Sequence, residues 1–245
     1  MSGNERLWAV VPVKPFARAK RRLMPVLSFD ERTKLTCAML ADVLTALTNA
    51  PCLAGVIVVT SERDAGTLAQ AAGAIVMSEG KGTGMNAAVT KAARRLNASG
   101  AIGMLAIPAD VPRITTPDIE AIALAHRAAP SVTLVPATKD GGTNALACSP
   151  PLAVPCRFGR DSLRKHQEAA RAGGIAAQLV CLERFCHDID RPDDLAEFAL
   201  RPSPTRTHAY LVASGIAERV RDVRQHRHRA ASMERRRVLE ASSRS

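Results

Sequence analysis

Leu7-Trp8-Ala9-Val10-Val11-Pro12-Val13-Lys14-Pro15-Phe16-Ala17-Arg18-Ala19-Lys20-Arg21-Arg22-Leu23 joins an apolar run of strand length to a proline break, after which five cations fall within nine residues. In an α/β protein such a break marks the carboxyl end of the first strand, the edge of the sheet at which ligands bind. Lys14, Arg18, Lys20, Arg21 and Arg22 would repel one another there unless something strongly anionic occupied the loop. A nucleoside triphosphate is the expected occupant.

Outward from this stretch the chain alternates strand and helix. Gly55–Thr60, Ala74–Val76, Ala101–Ile107, Ser131–Pro136, Asn144–Cys148 and Ala177–Leu182 read as further strands. Ser28-Phe29-Asp30-Glu31 is a capping box. It opens a helix whose apolar residues Leu35, Met39, Leu40, Val43, Leu44 and Leu47 recur at helical period until Pro51. Helices are also expected after Gly84, from Thr116 with Pro117 at its first position, from Asp161 to Arg171, and from about Pro192. Strand and helix repeated in this way specify an α/β fold, a mainly parallel sheet with helices on both faces.

The 245 residues suffice for one domain with a sizeable core. Aromatics make up only 3%, so that core must be built from Ala, Val, Leu and Ile. The net charge of +11 is unevenly placed: eleven Arg and four acids lie from Arg201 onward, leaving only +4 for the first 200 residues. A specific nucleic-acid-binding body is therefore not expected. Pro202 and Pro204 divide the chain into residues 1–202 and an Arg-rich extension, 203–245, part helix (Tyr210, Leu211, Val212, Ile216 and Val220 sharing a face) and largely disordered. On this reading a chain cut after Pro204 keeps full turnover. The six Cys form no CxxC pair, and Met1 to Arg6 leads directly into a strand without a signal peptide. Buried reduced thiols in a cytoplasmic protein are expected, and no apolar run reaches the roughly 18 residues of a membrane span.

The residues with chemical potential sit at the strand ends. Asp110, between Pro108 and Pro112 at the end of a buried strand, suits Mg²⁺, which takes few protein carboxylates together with phosphate oxygens. Asp188 and Asp190 alternate, so on an extended segment both could reach one metal, or Asp190 could instead cap the helix near Pro192. Gly80, Gly82 and Gly84 lack the third glycine of a dinucleotide fingerprint but let backbone approach a base or sugar. Gly141-Gly142-Thr143-Asn144 and Phe158-Gly159-Arg160-Asp161-Ser162 place amides at a helix start, where an anion can bind, with Arg160 or Lys165 adding charge. Ordinary capping by Asp161 is the alternative. No protein nucleophile stands out, and His126, His166 and His187 read as surface or strand-end residues. That emptiness fits an attacking group which is already an anion, such as a phosphate monoester, whose second pKa is near 6.

With these residues in view, the chain resembles the guanylyltransferases of deazaflavin coenzyme (F-420) biosynthesis, the 2-phospho-L-lactate or phosphoenolpyruvate guanylyltransferases. The resemblance rests on an ordered set over residues 7 to 200. Its members are Trp8-Ala9-Val10-Val11-Pro12-Val13-Lys14 with Ala19-Lys20 and Arg22-Leu23, then Gly84-Met85-Asn86 and Pro108-Ala109-Asp110-Val111-Pro112. Asp140-Gly141-Gly142-Thr143-Asn144, Phe158-Gly159 with Ser162, and Asp188-Ile189-Asp190 with Pro192-Asp193-Asp194-Leu195 complete it. It implies a Rossmann-like, glycosyltransferase-A-like nucleotidyltransferase fold. The implied reaction moves GMP from GTP to the phosphate of 2-phospho-L-lactate, phosphoenolpyruvate or 3-phospho-D-glycerate, with release of pyrophosphate.

Carried over by position, Lys14, Lys20 and Arg22 would hold the triphosphate, with Asp110 completing the catalytic group. Val13, Gly84 and Asn86 would contact the nucleotide, and Thr143, Gly159 and Ser162 the phospho-acid. Asp110 with Asp188 or Asp190 would bind Mg²⁺. A homodimer is compatible with this reading. Arg21 departs from the Ser of many relatives and Met85 from the usual Leu, and the extension beyond Pro204 has no counterpart in that pattern. The alternatives are a related nucleotidyltransferase with another base or acceptor, of molybdopterin or sugar-phosphate type, or a basic nucleic-acid-binding or scaffold protein.

Overall fold

The computed structural model describes residues 6–80, 84–137 and 140–221. Seven strands form one sheet: β1 (Leu7–Pro12), β2 (Leu53–Val59), β3 (Ile75–Met77), β4 (Met104–Ala106), β5 (Ser131–Pro136), β6 (Thr143–Ser149) and β7 (Gln178–Leu179). Their order is β3-β2-β1-β4-β6-β5-β7. β1 runs parallel to β2 and β4, β2 to β3, and β5 to β7; β6 alone opposes its neighbours. The mixed, mainly parallel sheet expected from the alternation is thus present.

This order places the site. β1 and β4 are adjacent, yet the chain leaves β1 toward one edge and returns from β3 to the other side, so the crevice between their carboxyl ends is a topological switch point. Because β6 is reversed, its amino end lies at that same edge and delivers Asp140 and Gly141 there.

Helices flank the sheet: α1 (Phe29–Thr48), α2 (Arg63–Ala71), α3 (Met85–Ala98), α4 (Thr116–Ala125), α5 (Ser162–Ala172), α6 (Pro192–Leu200) and, packed on α1, α7 (Arg206–Ala213). Successive strand residues point to opposite faces. Ala9, Val11, Val56 and Val58 therefore pack on α1, α2 and α4, while Val10, Ile57, Met104 and Ala106 pack on α3. Ala88, Ala92 and Ala93 of α3 are buried, and their small side chains let the helix approach the sheet in a core with few aromatics. Each fully buried Leu, Ile or Val contributes about 1.5–3 kcal/mol.

The Ser28 capping box forms as expected: the Ser28 hydroxyl accepts the Glu31 N–H and the Glu31 carboxylate accepts the Ser28 N–H. At α4 the cap is Thr115 rather than Thr116, because Asp118 turns back to accept the Thr115 N–H and hydroxyl. The strand expected over residues 177–182 shrinks to two residues, and that over 101–107 to three. All six Cys are free, but only Cys148 is buried and Cys181 is exposed.

Residues 205–221 pack against the body. α7 and the helical residues 216–221 bury Leu211, Ile216, Ala217 and Val220 in a third apolar cluster with Leu35 and Met39 of α1 and Leu195 of α6. Val212 faces outward. The Arg-rich stretch from residue 222 lies outside the described residues. No described helix is long and apolar enough to cross a membrane.

Candidate active site

A cleft of about 890 Å³ opens at the switch point. Its walls carry seven cations (Lys14, Arg18, Lys20, Arg21, Arg22, Arg160 and Arg191) against five acids (Glu79, Asp110, Asp140, Asp161 and Asp190). The cationic loop after β1 folds into two 3-10 turns, Phe16–Arg18 and Arg21–Leu23. Phe16 and Leu23 are buried beneath it, while Lys14, Arg18, Arg21 and Arg22 are exposed. Glu62 accepts the Phe16 N–H at 2.9 Å. Arg32 of α1, itself only 6% exposed, donates to the Ala19 carbonyl at 2.8 Å. Between the two turns Lys20 adopts φ +50°, an unusual backbone for a side-chain-bearing residue.

The left-handed residue aims its ammonium into the cleft floor. Lys20 Nζ lies 2.7 Å from Asp110 Oδ2 and 3.8 Å from Asp190 Oδ1, with its side chain only 7% exposed. Arg22 Nη1 meets Asp190 Oδ2 at 2.6 Å. The backbone joins the two carboxylates as well, since Ile189 N–H donates to the Asp110 carbonyl at 3.1 Å. Asp190 does not cap α6. Asp194 does, accepting the N–H groups of Asp190 and Arg191 at 3.0 and 2.7 Å, which leaves the Asp190 carboxylate to the cations.

Asp188 goes elsewhere. It lines a separate small groove with Arg113, His187, Glu197 and Arg201, whereas Asp110 and Asp190 line the main cleft. The segment is not a strand, so alternation along it does not place Asp188 and Asp190 on one side. Lys14 is exposed in the cleft and has no carboxylate in ion-pair range among the described residues. Val13 is buried and lines it.

On the opposite wall Gly84 holds φ +96°, and its N–H donates to Glu79 Oε1 at 3.1 Å. Gly82 lies outside the described residues. Asn86 turns from the cleft to the neighbouring loop: its side chain donates to the Phe158 carbonyl (3.2 Å) and accepts the Phe158 N–H (2.7 Å). That pairing fixes Gly159, which does line the cleft. Losing both bonds in Asn86→Ala should free the Gly159 loop. Hydrogen–deuterium exchange is then expected to quicken about tenfold in residues 157–160 and to stay unchanged in the sheet.

Thr143 and Ser162 lie beneath that wall. The Ser162 hydroxyl, fully buried, donates to Thr143 Oγ1 at 3.2 Å. The Ser162 and Leu163 N–H groups are taken by the carbonyls of Gly159 and Gly141, so these α5 amides are not the open anion cradle the glycines suggested. Asp161 occupies the N-cap position without a side-chain capping bond, and Lys165 is bound to the Arg160 carbonyl.

The histidines differ most from expectation. His166 is fully buried beside Thr143, and His126 bridges the Thr133 and Ser149 hydroxyls. The Arg157 N–H donates to His166 Nε2 at 3.0 Å, so the ring proton sits on Nδ1 and is donated to Thr143 Oγ1 at 3.1 Å. Burial lowers His126 from 6.5 to about 4. Burial, with the charges of Arg157 and Lys165, does the same to His166. Between pH 6.5 and about 4 the unfolded chain binds protons that the folded chain refuses, so stability falls with pH across that window. The loss is on the order of 3 kcal/mol for His166 and less for the more accessible His126. Melting temperatures measured from pH 7 to pH 4 should decline, and less steeply in His166→Asn.

Sequence reading missed Glu79, Arg191, Thr36 and Met39 as cleft residues. None stands in a motif, and each reaches the cleft only through packing.

A family model described as guanylyl transferase CofC like matches residues 7–234, past the Pro204 boundary. The chain is 38% identical over 197 residues to the phosphoenolpyruvate guanylyltransferase of Roseiflexus sp. (strain RS-1), covering 80% of this chain and 86% of that one. It is 36% identical over 195 residues to the 3-phospho-D-glycerate guanylyltransferase of Colwellia psychrerythraea (strain 34H / ATCC BAA-681), covering 80% and 92%. The crystal structure of a proposed nucleotide-diphospho-sugar transferase from Desulfovibrio desulfuricans G20 superposes with a TM-score of 0.71 at 16% identity, covering 91% of this chain and 98% of that one, a likeness of fold. The chain belongs to the CofC-like guanylyl transferase family and is a guanylyltransferase, an enzyme of the nucleotidyltransferase class.

Proposed function

We propose that this enzyme binds GTP in the switch-point cleft and transfers its GMP to the phosphate of a three-carbon phospho-acid, with Mg²⁺, in coenzyme F-420 biosynthesis. The acceptor is phosphoenolpyruvate, 3-phospho-D-glycerate or 2-phospho-L-lactate. The observation that carries the proposal is Lys20 Nζ held between Asp110 and Asp190 on the floor of a basic cleft. Two carboxylates already converge there on a cation. Among the described residues no three His, Cys, Asp or Glu side chains form a closed metal cage, and Mg²⁺ requires none, since it takes one or two carboxylates with phosphate oxygens. The donor set fits: Asp110 and Asp190 would hold the ion, which when bound supplies positive charge between the two phosphate groups.

The chain's own residues do the rest. Lys14, Arg18 and Arg22 offset the charge of the triphosphate and hold it against the carboxyl end of β1. Gly84, with no Cβ at φ +96°, admits the nucleoside close to the backbone. Gly159 and Arg160, braced by Asn86 and by the buried Thr143–Ser162 pair, form the acceptor side. An oxygen of the acceptor phosphate attacks the α-phosphorus, the new P–O bond forms, and the bond to the bridging oxygen of pyrophosphate breaks. A phosphate dianion needs no general base, which accords with buried His166 and half-buried His126, both neutral, outside the cleft lining. The protein's contribution is to hold two repelling anions in line. Incubating the protein with GTP, Mg²⁺ and each acceptor in turn, and following pyrophosphate, tests this. Release with one acceptor supports the reading, and silence with all three rejects it.

A further inference from the structure

Residues flanking two walls of the cleft are buried in one apolar cluster. Leu23, next to Arg22, and Leu27 are buried in the same cluster as Ile189, next to Asp190. Residues of α1 and α6 complete that cluster together with four from beyond Pro204: Leu211, Ile216, Ala217 and Val220, each at most 3% exposed. Polar contacts fix this segment at both ends. Asp42 of α1 accepts the N–H groups of Arg206 (2.8 Å) and Thr207 (2.9 Å) and the Thr207 hydroxyl (2.6 Å), capping α7. Arg219 Nη2 donates to the Val26 carbonyl at 3.2 Å and to Glu31 at 2.7 Å. Arg221 donates to the Ala199 carbonyl at 2.8 Å, at the end of α6. The segment thus touches the run that follows the cationic loop and the helix that follows Asp190, while making none of the cleft lining itself.

We propose that residues 205–221 are a positioning element of the active site, fixing the Lys20–Arg22 loop relative to Asp190, with Arg219 as its polar anchor on the loop side. The kinetic part rests on the GTP reading above. The acceptor wall around Gly159 shares none of these contacts, so the effect is confined to the triphosphate side. The expectation that a chain cut after Pro204 keeps full turnover is thereby reversed: the cut removes the Arg219 and Arg221 anchors and the part of the cluster that lies beyond Pro204.

The test uses the full chain with Arg219→Ala, Arg219→Lys and Val220→Ala. Arg219 is 46% exposed, so its removal leaves the core intact. Hydrogen–deuterium exchange of the free protein should quicken in residues 16–27 and 187–191 of Arg219→Ala and Val220→Ala, and stay unchanged in the sheet and in residues 158–162. The GTP KM should rise about tenfold in Arg219→Ala with the phospho-acid KM unchanged, and Arg219→Lys should restore part of the loss. Faster exchange confined to residues 205–221, or equal rises in both KM values, overturns the proposal. If the wild type releases no pyrophosphate with any acceptor, the functional reading falls, and the exchange experiment alone still decides whether the segment holds the two walls.

Discussion

Asp110→Asn is expected to reduce pyrophosphate release by about a thousandfold or more while leaving the melting temperature nearly unchanged. Asparagine keeps the size and the turn between Pro108 and Pro112 but removes the negative charge. In the wild type that charge sits 2.7 Å from a nearly buried ammonium and, in the proposed reaction, holds Mg²⁺. The turn is secured without the side chain, because the Asp110 carbonyl accepts the Ile189 N–H. Circular dichroism and thermal melting check the fold, and a coupled pyrophosphate assay checks the chemistry. Turnover near wild-type would reduce Asp110 to a turn residue and remove the proposed metal site with it.

Lys20→Met has the second largest effect, and it separates two roles of one side chain. The thioether is close in length, yet Asp110 and Asp190 lose the ammonium they share. Turnover should fall about a hundred- to a thousandfold, the usual cost of deleting a charge aimed at a developing anion. Binding of Mn²⁺ as a probe, followed by titration calorimetry, should tighten instead, since no ammonium competes for the two carboxylates. Arg in place of Lys should not rescue, because a planar fork cannot occupy the point between two carboxylates that an ammonium fills. Unchanged Mn²⁺ affinity together with unchanged turnover would mean that Lys20 stands apart from both metal and substrate.

Much of the site was legible because its signals are local. A proline ending a buried run, and cations interrupted by one large apolar residue, Phe16, and followed by another, Leu23, say where a strand stops and which residues must face solvent or an anion. Asp110 could be read for the same reason, as a carboxylate held in a rigid turn. What was not legible has the opposite cause. His166 looked like a surface residue because its hydrogen-bond partners, Thr143 and the Arg157 N–H, lie 23 and 9 residues away. The Asn86 amide pairs with a backbone 72 residues distant, which no local pattern carries. Asp188 and Asp190 looked equivalent because alternation presumes a pleated strand. The segment has no ladder partner, and a single bond from Ile189 to Asp110 turns Asp190 inward.

The residues beyond Pro204 show the same division from the other side. Two prolines and a rising Arg content suggested a separate extension, and composition is blind to where an apolar stripe docks. Periodicity, capping residues and chain breaks determined the α/β architecture, the edge of the sheet at which the cleft opens and the charge of its first loop, since these depend on neighbours within a few residues. Which acids face which cations, which hydroxyls are buried and what holds the two cleft walls apart were decided only by tertiary packing. Those outcomes depend on pairs of residues tens to nearly two hundred positions apart, brought together when the sheet and its helices bury their apolar faces.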